Sequence, residues 1–145
     1  MRYLGIDPGK AGGIAVIDDE FTMAWKMPST ERDIYELIRT LSQAGAFAYI
    51  EEVHAAPGNG VSSMFTFGMG YGGLRMALIA AGISFATVTP QRWEKYFRIK
   101  KQPSYTARKN ALKARAQELF VDIKMTLSIC DALLIAKFGQ ETHPR

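Results

Sequence analysis

The stretch MRYLGIDPGKAGGIAVIDD, residues 1–19, sets an aspartate, Asp7, at the end of an apolar run and follows it at once with Pro8-Gly9. Residues 3–7 read as a short buried strand. Residues 8–13 carry turn chemistry, with glycines free to take positive φ. Residues 13–17 (GIAVI) read as a second strand and residues 21–26 as a third. Connections this short favour antiparallel pairing of all three. A carboxylate at the tip of a buried strand is costly unless it finds a cation. It can also serve only to form the turn.

Ser29-Thr30 offers an N-cap before acidic Glu31 and Asp33. Ile34, Leu37, Ile38 and Leu41 follow at i, i+3, i+4 and i+7, which predicts an amphipathic helix ending near Gly45. Residues 46–53 (AFAYIEEV) read as a fourth strand with Glu51 and Glu52 at its C-terminal end. After a loop over 54–60, residues 62–81 look helical, rich in Met and aromatics but dotted with Gly68, Gly70, Gly72 and Gly73. A fifth strand over 83–88 stops at Pro90. A short helix over 91–97, a basic loop (RIKKQPSY), a helix capped by Ser104 and running through Phe120, and a last helix over 127–138 complete the pattern. With no repeat or linker, residues 1–145 predict one α/β domain. Its mixed five-stranded sheet has three antiparallel strands, then parallel ones, flanked by helices.

A single cysteine, Cys130, excludes an internal disulfide, and with two histidines leaves no framework for a multi-Cys zinc site. No apolar run approaches the roughly 18 residues of a membrane span, and the first residues lack an export-signal pattern. The expected location is cytoplasmic. Net charge is +4, but its distribution says more. Between 92 and 115 lie Arg92, Lys95, Arg98, Lys100, Lys101, Arg108, Lys109, Lys113 and Arg115, against the single acid Glu94. Such a cluster is either a polyanion site or a solvated basic face.

If strands one and four are parallel neighbours joined by a right-handed crossover, their C-terminal ends lie side by side, where ligand sites form on open sheets. That gathers Asp7 and the Glu51-Glu52 pair, with Asp131 opening the last helix. Asp131 also suits a helix N-terminus for its own sake. Glu51 and Glu52 point to opposite faces, so at most one enters a shared site. Carboxylates without a Cys or His framework suit a hard ion, Mg²⁺ or Mn²⁺, and paired ions roughly 3.5–4 Å apart serve phosphodiester cleavage. Residues 68–73 match GxGxxG, but inside a helical pattern rather than after a strand, which weakens a dinucleotide reading. Each glycine costs a helix about 1 kcal/mol relative to Ala. The offset expected is close approach of another backbone, a partner subunit contacted through Met64, Phe65, Phe67, Met69 and Tyr71; the other reading is an internal core helix.

GIDPGKAGGIAVI resembles the opening motif of RuvC-type Holliday junction resolvases. IEEVHAAPGNGVSSMFTFGMGYGGLRMAL is similar to their second motif, and CDALLIAKFG to their last. The resemblance spans essentially the whole chain. It implies a ribonuclease H-like fold, a homodimer, and Mg²⁺-dependent nicking of four-way DNA junctions, with two ions per site and Mn²⁺ as a substitute. It implies Asp7, Glu51 and Asp131 as metal ligands, the I-E-x-V context selecting Glu51 over Glu52. The compact length and the ending look more like a phage-encoded branch, acting in a bacterial host, than the cellular enzyme.

Two positions depart from the cellular pattern. Ser128 stands where those members have an Asp or His ligand, which leaves Glu52 or Ser128 as candidates for a further ligand. His54 stands where an aromatic wedge follows the second motif's Glu. Lys100 and Lys101 are expected near the reacting phosphate to offset developing charge, or else on the DNA backbone. The expected DNA-binding set is His54, Arg92, Lys95, Arg98, Lys100, Lys101, Arg108 and Lys109, and branched DNA is the expected partner, possible substrates extending beyond four-way junctions. Two other classes fit parts of the sequence. One is a junction-binding protein that has lost cleavage, suggested by Ser128. The other is a nucleotide-phosphate-binding protein of the sugar-kinase and actin type, which needs a longer chain.

Overall fold

Alternation along the strands decides which side chains face which layer. A computed structural model of the chain describes residues 1–144. Its elements are β1 (Tyr3–Asp7), β2 (Gly13–Ile17), β3 (Thr22–Lys26), α1 (Glu31–Leu41), β4 (Phe47–Glu51), α2 (Val61–Ala80), β5 (Ser84–Val88), α3 (Pro90–Tyr96), α4 (Tyr105–Leu119) and α5 (Cys130–Thr142). The five strands form one mixed sheet in the order β3-β2-β1-β4-β5. The first three pair antiparallel, and β1–β4 and β4–β5 pair parallel, as the short and long connections dictate.

Even-numbered residues of β1, β2 and β4 (Leu4, Ile6, Ile14, Val16, Ala48 and Ile50) pack with Ile38, Leu41, Leu74 and Leu78 of α1 and α2. Odd-numbered ones (Ala15, Ile17 and Tyr49) pack beneath α3, α4 and α5. Gly5 shares that second face. A Cβ there would run into the Ala132 carbonyl oxygen and the Ala136 amide nitrogen, so α5 lies directly on β1. Nine of the thirteen residues of α5 are buried in consequence.

Thr30 and Ser104 cap α1 and α4, accepting from the Asp33 and Ala107 amides at 3.1 Å each. The last helix runs Cys130–Thr142 rather than 127–138. Residues 127–129 form a turn before it, and Gly139 does not end it because that glycine sits against the Tyr49 ring. Thus α5 has no side-chain cap, and Ser128, in that turn, does not supply one. β4 stops at Glu51, with Glu52 just beyond it. Among the described residues no helix is long and apolar enough to cross a membrane.

Candidate metal and DNA site

The parity that points Gly5 at α5 points Asp7 the same way. β1 and β4 are in register through Ile6 and Ile50, so Asp7 and Glu51 end neighbouring strands on the same face. Because α5 crosses that face at Gly5, its first turn brings Asp131 to the same place. Asp7, Glu51 and Asp131 line one pocket of about 410 Å³, together with Gly12, Tyr105, Thr106, Arg108, Lys109, Asn110 and Ser128. Gly12 is required here. A Cβ on it would strike the Asp7 carbonyl oxygen and stand 3.1 Å from the carboxyl carbon.

Asp131 is 3% exposed and accepts from Lys109 Nζ at 2.7 Å and from the Cys130 thiol at 3.2 Å. Burial, then the Asp131 charge, pushes Cys130 up to about 12, so the thiol stays protonated. Glu51 Oε2 accepts from the Trp93 indole N–H at 2.9 Å. Burial, then the charges of Asp131 and Glu51, raises the pKa of Asp7 to about 8. Burial raises Glu51 to about 7, the Trp93 hydrogen bond opposing it and Asp131 adding to it. Burial alone would lower the pKa of Lys109, but Asp131 more than offsets that and leaves it raised.

Among the described residues no three His, Cys, Asp or Glu side chains are already drawn into one metal cage. The donor set nevertheless fits a hard divalent cation. It is three carboxylates in one pocket, oxygen ligands throughout. The two with raised pKa values, Asp7 and Glu51, form no ion pair among the described residues, whereas Asp131 has Lys109.

The other predicted residues fall in distinct places. Ser128 lines the pocket from the turn before α5, not from the helix. Glu52 lies outside it, 3.1 Å from the Nε2 of exposed His54. Lys100 and Lys101 do not line the carboxylate pocket. They line an adjoining depression of about 570 Å³ with Lys95, Arg98, Glu94 and Arg108. Arg108 borders both cavities and is ion-paired with Glu94. Arg92 is exposed, its guanidinium 5.5 Å from the centre of the Phe138 ring. The reading from sequence missed Trp93 altogether, and missed that Lys109 meets a carboxylate. Tyr105, Thr106, Lys109 and Asn110, spaced four apart in pairs after the Ser104 cap, were the available signal for a polar face of α4 turned to a site.

Along α2 the four glycines meet nothing within the chain where a Cβ would stand. Met64, Phe67 and Tyr71 are partly buried, whereas Val61, Phe65, Met69, Met76 and Ile79 are exposed. With Gly72 these recur every three or four residues, one apolar stripe on the side away from Leu74 and Leu78.

No protein-family model matches the sequence, and no curated protein matches it. Solved structures do. The Thermus thermophilus RuvC structure aligns with a TM-score of 0.65 at 16% identity, covering 97% of this chain and 96% of that one. T. thermophilus RuvC in complex with Holliday junction substrate aligns with a TM-score of 0.67 at 15% identity, covering 99% and 96%. The fold is therefore the ribonuclease H-like fold of RuvC, with the mixed sheet and helical layers described above.

Proposed function

We propose that this chain is a metal-dependent, structure-selective endonuclease that nicks four-way and other branched DNA junctions by phosphodiester hydrolysis, acting as a homodimer in the cytoplasm. The observation that carries the reading is the convergence of Asp7, Glu51 and Asp131 in one pocket with Arg108 and Lys109 in its wall. It sits on a fold shared with a protein solved on a Holliday junction.

Asp7, Glu51 and Asp131 would hold Mg²⁺ or Mn²⁺, with Ser128 the neutral group beside them. Two such ions, when bound, supply an activated water and stabilise the leaving oxygen of a phosphodiester. The chain's own residues do the rest. The strand ends fix Asp7 and Glu51 on a rigid floor. Lys109 and Arg108 place positive charge where a phosphate enters. Lys95, Arg98, Lys100 and Lys101, exposed or beside the adjoining depression, hold the flanking backbone by charge. A second copy packed through α2 would give two sites for two opposing strands.

The deciding test is nicking of a synthetic four-way DNA junction with and without Mg²⁺. Paired, metal-dependent nicks near the branch point support the reading. Tight junction binding without cleavage in either Mg²⁺ or Mn²⁺ would leave a junction-binding protein instead.

A further inference from the structure

Trp93 is fully buried in the layer between the sheet and α5, although its neighbours Arg92, Glu94 and Lys95 are charged. A buried indole N–H needs an acceptor. Backbone connectivity determines which one. Val88, the last residue of β5, is in register with Glu51, and the Glu52 amide donates to the Val88 carbonyl at 2.8 Å. Pro90 then starts α3 at once, and one turn later Trp93 lies over the end of β4, its Nε1 2.9 Å from Glu51 Oε2.

We infer that Trp93 is a positioning residue for Glu51: its indole N–H holds Oε2 and so leaves Oε1 as the oxygen presented to a divalent cation in the pocket. This rests on the nuclease reading of that pocket. A glutamate at a strand end has three side-chain torsions and no inherent preference for the cavity. The indole holding it has two, both immobilised by packing. Groups hydrogen-bonded to metal ligands fix ligand orientation, and losing one typically costs about 10–100-fold in metal affinity. A Trp chosen only for bulk would be replaceable by Phe with little effect on the ion.

The experiment uses Trp93→Phe, which keeps a buried aromatic ring and removes the N–H. Free Mn²⁺, counted by electron paramagnetic resonance, should show affinity falling about 10–100-fold while junction binding without metal is unchanged. Adding Glu51→Gln to Trp93→Phe should cost less affinity than Glu51→Gln costs alone, because both act through one carboxylate. The chain has two tryptophans, so a ¹⁵N-labelled sample gives two indole signals, told apart with Trp25→Phe. Mg²⁺ should shift the Trp93 signal saturably, leave the Trp25 signal in place, and lose its effect in Glu51→Gln. That arm decides alone if Trp93→Phe does not fold. Mn²⁺ affinity of Trp93→Phe within about twofold of the unaltered protein, or an indole shift that survives Glu51→Gln, overturns the inference and leaves the nuclease reading standing. An unaltered protein that binds no Mn²⁺ overturns both.

Discussion

Lys109 Nζ lies 2.7 Å from Asp131 Oδ2, with the two side chains only 13% and 5% exposed. The lysine comes from α4 and the aspartate from α5, so the pair joins two elements across the pocket wall. It also means that in the metal-free protein one of the three carboxylates already has a cation.

Removing Lys109 should therefore destabilise the metal-free protein. Breaking a buried pair from one side leaves an uncompensated charge, at a cost of roughly 3–5 kcal/mol. Lys109→Met should lower the melting temperature without metal, and Mg²⁺ should recover much of the loss by taking over the charge on Asp131. A melting temperature unchanged by Lys109→Met would mean that the pair is solvated.

The two raised carboxylates give a pH dependence with a definite sign. Asp7 titrates at about 8 and Glu51 at about 7 in the folded chain, far above the roughly 4 of an unfolded carboxylate. Between those values the folded protein holds protons that the unfolded chain has released. Their stabilising effect is complete below pH about 4 and is lost as pH rises toward 8. Metal-free melting temperature should fall from pH 5 to pH 8, with Asp7 alone contributing up to about 1.4 kcal/mol per pH unit. Asp7→Asn should flatten the profile and melt higher than the unaltered protein at pH 8. A metal-free profile that rises across this window contradicts the buried, unpaired state of Asp7.

Among single carboxylate changes, Asp7→Asn, Glu51→Gln and Asp131→Asn should each abolish cleavage and leave junction binding largely intact. Glu52→Gln should be mild, because Glu52 stands beside His54 and outside the pocket. Nicking and gel-shift assays on one junction check both halves. A lethal Glu52→Gln with a mild Glu51→Gln would reverse the assigned faces.

What the sequence disclosed and what it hid follow from the range of the interactions. β1 and β2, the cap at Thr30 and the placement of Asp7 were legible because strand alternation, turn glycines and capping oxygens act within a few residues. The parallel pairing of β1 and β4 was expected from the helical crossover between them, and the register bears it out. The start of α5 was misplaced because its boundary is set by docking on Gly5, 125 residues earlier in the chain than Cys130. Lys100 and Lys101, in the basic loop after the short helix, fit either the reacting phosphate or the DNA backbone from sequence, and the fold sets them in the adjoining depression. Which of the basic residues meets a carboxylate of the pocket depends on the direction of α4, and that is set by packing against α5. Trp93 carried no local sign of its role, since an indole N–H has no partner until the β5–α3 junction folds back over β4.

The basic surface should divide by function. Lys100→Ala and Lys101→Ala should each lower the slope of log affinity against log salt by about 1, as expected for lost phosphate contacts. The cleavage rate at saturating junction should stay close to normal, because both lysines lie in the adjoining depression. Lys109→Met should do the reverse, abolishing cleavage with a smaller change in slope. Equal loss of cleavage in all three variants would place Lys100 and Lys101 at the reacting phosphate.

The exposed stripe on α2 predicts how two copies meet. Phe65 is 69% exposed and Met69 and Met76 more than half, and burying such a side chain fully is worth about 1.5–3 kcal/mol. In a two-fold dimer every residue of the stripe is buried twice, once from each copy. Gly72 lies in the middle of the stripe with open space above it, which suits close approach of a second helix and offsets the glycine's cost within α2. Met69→Glu places two carboxylates in that interface and should weaken dimerisation by at least about tenfold, or 1.4 kcal/mol. Gly72→Leu should weaken it by holding the helices apart, without unfolding the monomer, since nothing in the chain stands where the new side chain would go. Sedimentation at micromolar concentration should find dimers of the unaltered protein and monomers of both variants. Both variants should still bind a junction, but their two nicks should fall out of step. Monomers of the unaltered protein under these conditions would remove α2 as the dimer face and with it the coupling of the two cuts.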